Sequence, residues 1–311
     1  MKSPRTVFIT DCEGPISKND NAFELTSHFV PDGEKLFTQI SRYDDVLADL
    51  VKREGYKAGD TLKLILPFLK AYGVTDKQIV DFSAQNILLM PGAKDTLQSV
   101  RGFMSAFIVS TSYEHYIRAL CQALGFPFED TYCTRLSLDV YQVSEKEKEQ
   151  LGRLKQEICT MPLIEIPQRT ASLRMLSEAS QQTVRRLDEV FWEEIMQVES
   201  GAILREVNPV GGVEKANAAR KISDEAKSSL DRVIYVGDSI TDAECLKLVR
   251  ENGGLAVSFN GNAYAVREAE IAVLSPNAIV IAVLADVFSR LGAETVYRLI
   301  DDWSYAGMNK H

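Results

Sequence analysis

Hydrophobic positions follow two different rhythms along this chain. Short β-branched runs at 6–10, 106–109 and 232–236 are bounded by polar turn formers, which predicts buried strands. Between them, apolar residues recur every three or four positions. The stretch 33–54 carries Leu36, Phe37, Ile40, Tyr43, Val46, Leu47, Leu50 and Val51, a helical period. The stretches 62–72, 76–89, 93–101, 114–124, 213–222, 242–251 and 263–269 follow the same rule. Shorter strands are expected within 131–138, at 254–259 and at 271–274, with helix beyond. Strands alternating with helices imply an α/β fold built on a parallel sheet.

The charged stretch 144–200 reads as helical. From Leu173 its apolar positions run through Leu176, Val184, Leu187, Phe191, Ile195 and Val198, with one gap at Ser177 and Ser180. That spacing fits an amphipathic helix packed on its own domain, the preferred reading. It also fits a coiled-coil-like seam that would join two copies in a homodimer. Pro91-Gly92 and Asn208-Pro209 with Gly211-Gly212 mark boundaries, and the chain shows no internal repeat.

Composition narrows the function. The 311 residues include 35 Lys and Arg against 44 Asp and Glu, a net charge of −9 that disfavours general nucleic-acid binding. Cys12, Cys121, Cys133, Cys159 and Cys245 are scattered and odd in number. This argues against a disulfide framework or a zinc site and predicts a reducing, cytoplasmic setting. No apolar run reaches the length of a membrane span or a secretory signal, so no membrane insertion is expected.

Three predicted strands end in polar clusters, and open α/β sheets bind ligands at the carboxyl ends of their strands. Asp11, Glu13, Ser110, Thr111, Asp238 and Asp242 are therefore expected to converge. Carboxylates brought that close need a cation, and an all-oxygen donor set suits Mg²⁺. Lys215, at a helix start after Gly211-Gly212, would add positive charge for a phosphate.

In these residues the sequence resembles the haloacid dehalogenase superfamily, in its phosphatase branch. Thr6-Val7-Phe8-Ile9-Thr10-Asp11 matches the nucleophile motif, and Phe107-Ile108-Val109-Ser110-Thr111-Ser112 the second motif. Lys215 matches the third, and Val236-Gly237-Asp238-Ser239-Ile240-Thr241-Asp242 the fourth. The element order most resembles the phosphoserine phosphatase-like group, with a further resemblance to an uncharacterised archaeal group. The resemblance implies a Rossmann-like core over 1–18, 90–140 and 205–311, a helical cap over 19–89 and a second helical insertion over 141–204. It also implies an Mg²⁺-dependent phosphohydrolase of a small phosphorylated metabolite.

In that reading Asp11 attacks phosphorus and becomes an aspartyl phosphate. Mg²⁺ would be held by Asp11, Asp238 and the carbonyl of Glu13, with Asp242 as a ligand or as an orienting group behind the ligands. Ser110 and Thr111 would bind the phosphoryl oxygens, and Lys215 would neutralise charge. One departure is clear: the second acid, usually aspartate, is Glu13, one methylene longer. That change and the charged insertion motivate an alternative, a catalytically weak regulatory or scaffold subunit of a larger complex. A phosphomutase or dehalogenase on the same core is a third, weaker reading. Arg42 and Tyr43 in the first insertion are candidates to read an acidic group on the substrate. Cys12 reads first as a small core-facing side chain, with oxidation sensitivity beside the nucleophile as the alternative.

Overall fold

The computed structural model describes residues 6–303. Its centre is a six-stranded, all-parallel sheet in the order β3-β2-β1-β4-β5-β6. The strands are β1 Val7–Thr10, β2 Ser105–Tyr113, β3 Thr131–Thr134, β4 Val233–Gly237, β5 Leu255–Phe259 and β6 Ile271–Val273. β1 lies between β2 and β4, with Thr10 paired to Ile108 on one side and Val236 on the other. It is buried along its whole length, as its unbroken apolar run requires. Helices cover both faces. Phe8, Ile108 and Ile234 face one apolar cluster, and Val7, Val109 and Tyr235 face another.

The chain leaves this sheet twice at its carboxyl edge, after β1 and after β3. The two excursions do not form separate bodies. Leu36, Ile40 and Phe68 from the first share one continuous apolar cluster with Val184, Leu187, Phe191 and Ile195 from the second. Phe191 stacks on Tyr43 at 5.8 Å and meets Phe68 edge-on at 6.2 Å. The apolar face of the second insertion thus packs within its own chain, and the seam that in the alternative reading would join two copies is covered by the first insertion.

Two expected helices are interrupted. The 62–72 stretch divides into Thr61–Leu64 and Leu66–Ala71, because Pro67 has no N–H to continue the ladder. The helix expected from Leu173 starts later, at Glu178. Ser177 caps it by accepting from the Ser180 N–H at 3.1 Å, so Leu173 and Leu176 precede the helix. In the first insertion, helix Gly33–Asp45 widens into a π-helical stretch, Val46–Val51. Such widenings recur at functional sites.

Candidate active site

The end of β1 delivers Asp11 to the carboxyl edge. Its N–H continues the sheet pairing to the Val236 carbonyl at 2.8 Å. Its Oδ1 accepts from the Cys12 N–H at 2.6 Å, and its Oδ2 lies 2.7 Å from Lys215 Nζ. Lys215 is the third residue of helix Val213–Glu225 and is fully buried. Its ammonium bridges Asp11 and Asp242, the latter at 2.8 Å.

Asp242 is saturated. Oδ1 accepts from Lys215 and from the Tyr235 hydroxyl at 2.7 Å. Oδ2 accepts from the N–H groups of Asp238 and Ser239, each at 3.0 Å. Burial opposes its charge, but Lys215 and these donors override it and hold Asp242 below the usual carboxylate range. Its lone pairs are committed to positioning Lys215 and the Asp238 loop. Asp238 itself is pushed well upward, by burial first and then by Asp11 and Asp242. The same burial, with Asp242, raises Asp11 to about 7 despite Lys215.

Burial leads the two upward shifts, and the mutual repulsion of the carboxylates adds to it. Oxygens of Asp11, Asp238 and Asp242 come within 4.8 Å of one another. Three carboxylates against one ammonium leave a deficit that a divalent cation would fill, and the oxygen donors suit Mg²⁺. Gly14 leaves the room: at φ +89°, a Cβ there would lie 2.3 Å from Asp238 Oδ2. The residues fit the ion.

Above this floor is a cavity of about 600 Å³, roofed by the first insertion. Asp11, Glu13, Thr111 and Asp238 line the bottom; Asp20, Phe37, Asp44 and Asp45 line the roof. Glu13 reaches upward, accepting from the Asn21 N–H at 2.8 Å at the start of helix Asn21–Phe29. Burial and the neighbouring Asp20 raise its pKa to about 8, so it holds a proton at neutral pH. Thr111 lines the cavity, while its hydroxyl is buried with no hydrogen-bond partner among the described residues. Ser110 does not line it. Its hydroxyl is buried beneath, accepting from the Ser112 N–H at 3.1 Å.

Two expectations need correction. Tyr43 is buried, and its hydroxyl donates to Asp188 at 2.5 Å; Arg42 is exposed, and neither residue lines the cavity. Asp44 and Asp45 take the place assigned to them. The helical period that includes Tyr43 already implied its burial. Asp44 is held by the Tyr56 hydroxyl at 2.6 Å and the Gly59 N–H at 2.9 Å. Cys12 takes the core-facing place preferred for it, and the redox alternative falls. It is fully buried, and burial with Glu13 and Asp11 raises its pKa, keeping it a thiol.

No protein-family model and no curated protein matches the chain. Among solved structures, gene product AF1437 from Archaeoglobus fulgidus is 30% identical with a TM-score of 0.84, over 96% of this chain and 88% of that one. A phosphoserine phosphatase in apo form aligns at 11% identity and TM-score 0.53, over 89% and 97% of the two chains. A HAD family hydrolase, t0658 from Salmonella enterica, aligns at 9% identity and TM-score 0.50, over 86% and 66%. The chain belongs to one family with the Archaeoglobus gene product, and it shares its fold with phosphoserine phosphatase and the HAD family hydrolase. Among the described residues no helix is long and apolar enough to cross a membrane.

Proposed function

We propose that the protein is a phosphohydrolase of a small phosphorylated metabolite, with Asp11 as nucleophile. The observation that carries this reading is the buried chain Asp11–Lys215–Asp242 at the floor of a closed-over cavity. Asp11 attacks phosphorus and the substrate's oxygen leaves, giving an aspartyl phosphate on the protein. Glu13, protonated at neutral pH, donates its proton to the leaving oxygen. Its carboxylate then takes a proton from the water that hydrolyses the acyl phosphate, restoring both residues. Lys215 fixes one Asp11 oxygen and opposes the charge on the transferring group. Thr111, on the cavity wall, would offer its N–H to the phosphoryl oxygens. Asp11 and Asp238 would hold Mg²⁺, which supplies charge neutralisation for the phosphoryl oxygens. Asp242 supports the ligands rather than joining them. The roof excludes bulk water.

The scaffold alternative rested on Glu13 and on the helical seam. Glu13 is anchored and protonated, and the seam is internal, so neither now favours it. The test is a phosphatase assay over a panel of phosphorylated metabolites with and without Mg²⁺. Turnover that requires Mg²⁺ and disappears in Asp11→Asn is expected. No turnover above that variant on any substrate would overturn the reading.

A further inference from the structure

A second cavity, of about 370 Å³, lies between the 53–63 segment and the end of the second insertion. It shares no lining residue with the catalytic cavity. In a chain of net charge −9, its walls carry Arg53, Lys57, Lys63 and Arg205 against one acid, Glu54. The carboxylates nearest these cations, Asp44 on the Tyr56 hydroxyl, Asp60 and Asp188, stand behind the wall and do not line the cavity. Asp60, fully buried, is shared by Lys57 at 3.4 Å and Lys63 at 2.6 Å. Asp188 holds Arg53 at 2.7 Å. Among the described residues Arg205 meets the carbonyl and the sulfur of Met196 and no carboxylate. One wall is aromatic: Arg53 lies 4.7 Å from the Trp192 ring centroid, and Trp192 meets Tyr56 edge-on.

Four cations on the wall of one cavity, facing a single acid there, favour a small polyanion, since several donors then act on one group together. The position of the cavity gives such a ligand a consequence. Lys57 Nζ donates to Asn208 Oδ1 at 2.5 Å, tying the first insertion to the loop that leads to Lys215. The next residue, Ala58, presents its carbonyl to Gly211 so closely that a Cβ there would lie 2.2 Å from it. An anion that draws on Lys57 therefore acts on the joint between the roof and the Lys215 loop.

We propose that this cavity is a second anion site, separate from the catalytic one, for a small phosphate-bearing metabolite that modulates the hold of the roof on the Lys215 loop. The chain has two tryptophans, and Trp303→Phe leaves Trp192 as the only indole. Inorganic pyrophosphate is the probe, titrated without divalent cations while Trp192 emission is followed. A saturable change is expected, weakened roughly tenfold or more in Arg205→Gln, which alters an exposed side chain, and further in Lys57→Gln with Arg205→Gln. The change should persist in Asp238→Asn. Amide hydrogen exchange across 208–215 should change on pyrophosphate addition in the parent and stay constant in the double variant. Three results would overturn the proposal: no emission change at millimolar pyrophosphate, an unaltered response in the double variant, or a response lost in Asp238→Asn, which would put the probe in the catalytic cavity. Because the readout is fluorescence and exchange, failure here leaves the phosphatase reading standing, and absent phosphatase activity leaves this site standing.

Discussion

At the scale of single residues, the floor of the site is an electrostatic balance centred on Lys215. Replacing it with alanine strands two buried carboxylates, and Lys215→Ala is expected to cost about 3–5 kcal/mol in urea unfolding. Glu13 gives a kinetic prediction. Its proton is needed for an alkoxide leaving group, so turnover of alkyl phosphates should fall as pH rises through about 8. Glu13→Gln should lower that turnover by about 10²-fold or more yet keep a burst of nitrophenolate from p-nitrophenyl phosphate, whose leaving group needs no proton. Asp45 gives a stability prediction. Burial, then Asp44 and Asp49, raise it from 3.8 to about 7. A carboxyl with a raised folded-state pKa contributes stability at low pH that is lost as pH climbs through that window. Asp45→Asn should therefore raise Tm at pH 8, by about 2 °C or more, and leave it unchanged near pH 3. The sequence made Asp11, Lys215, Asp238 and Asp242 legible because each follows a strand or opens a helix. It hid Asp44 and Asp45, since a carboxylate on a helix looks the same facing water or a cavity. Ser110 was legible as a strand end, but the direction of its hydroxyl was not.

At the scale of elements, local chemistry decided where the periodic pattern stopped being helix. The gap at Ser177 became a helix boundary, and Pro67, inside a stretch that reads as one helix, divided it. The π-helical stretch Val46–Val51 had no such mark, because its apolar spacing also suits an ordinary helix. Phe191 of the second insertion is fully buried against Tyr43 and Phe68 of the first. Phe191→Ala should cost about 3–5 kcal/mol. If Phe191 instead served a contact between copies, the loss would depend on protein concentration; unfolding curves that superimpose across a hundredfold dilution are expected.

At the scale of the whole molecule, the parallel sheet was legible from the strand–helix alternation, whereas the strand order was not, because it depends on which way each crossover turns. The sharing of one core by the two insertions was equally hidden, since periodicity shows that a face is apolar but not what covers it. Deleting 144–200 uncovers Leu36, Ile40 and Phe68, so the truncated chain should bind a hydrophobic dye and unfold without a sharp transition. The same shared core has a bearing on descent. Two stretches separated by the whole of β2 and β3 must keep matching shapes, so a change in one sets the terms for the other. Exchanging either stretch alone with its counterpart from the Archaeoglobus relative should give insoluble protein. Exchanging both together should restore solubility, because the two are inherited as one part.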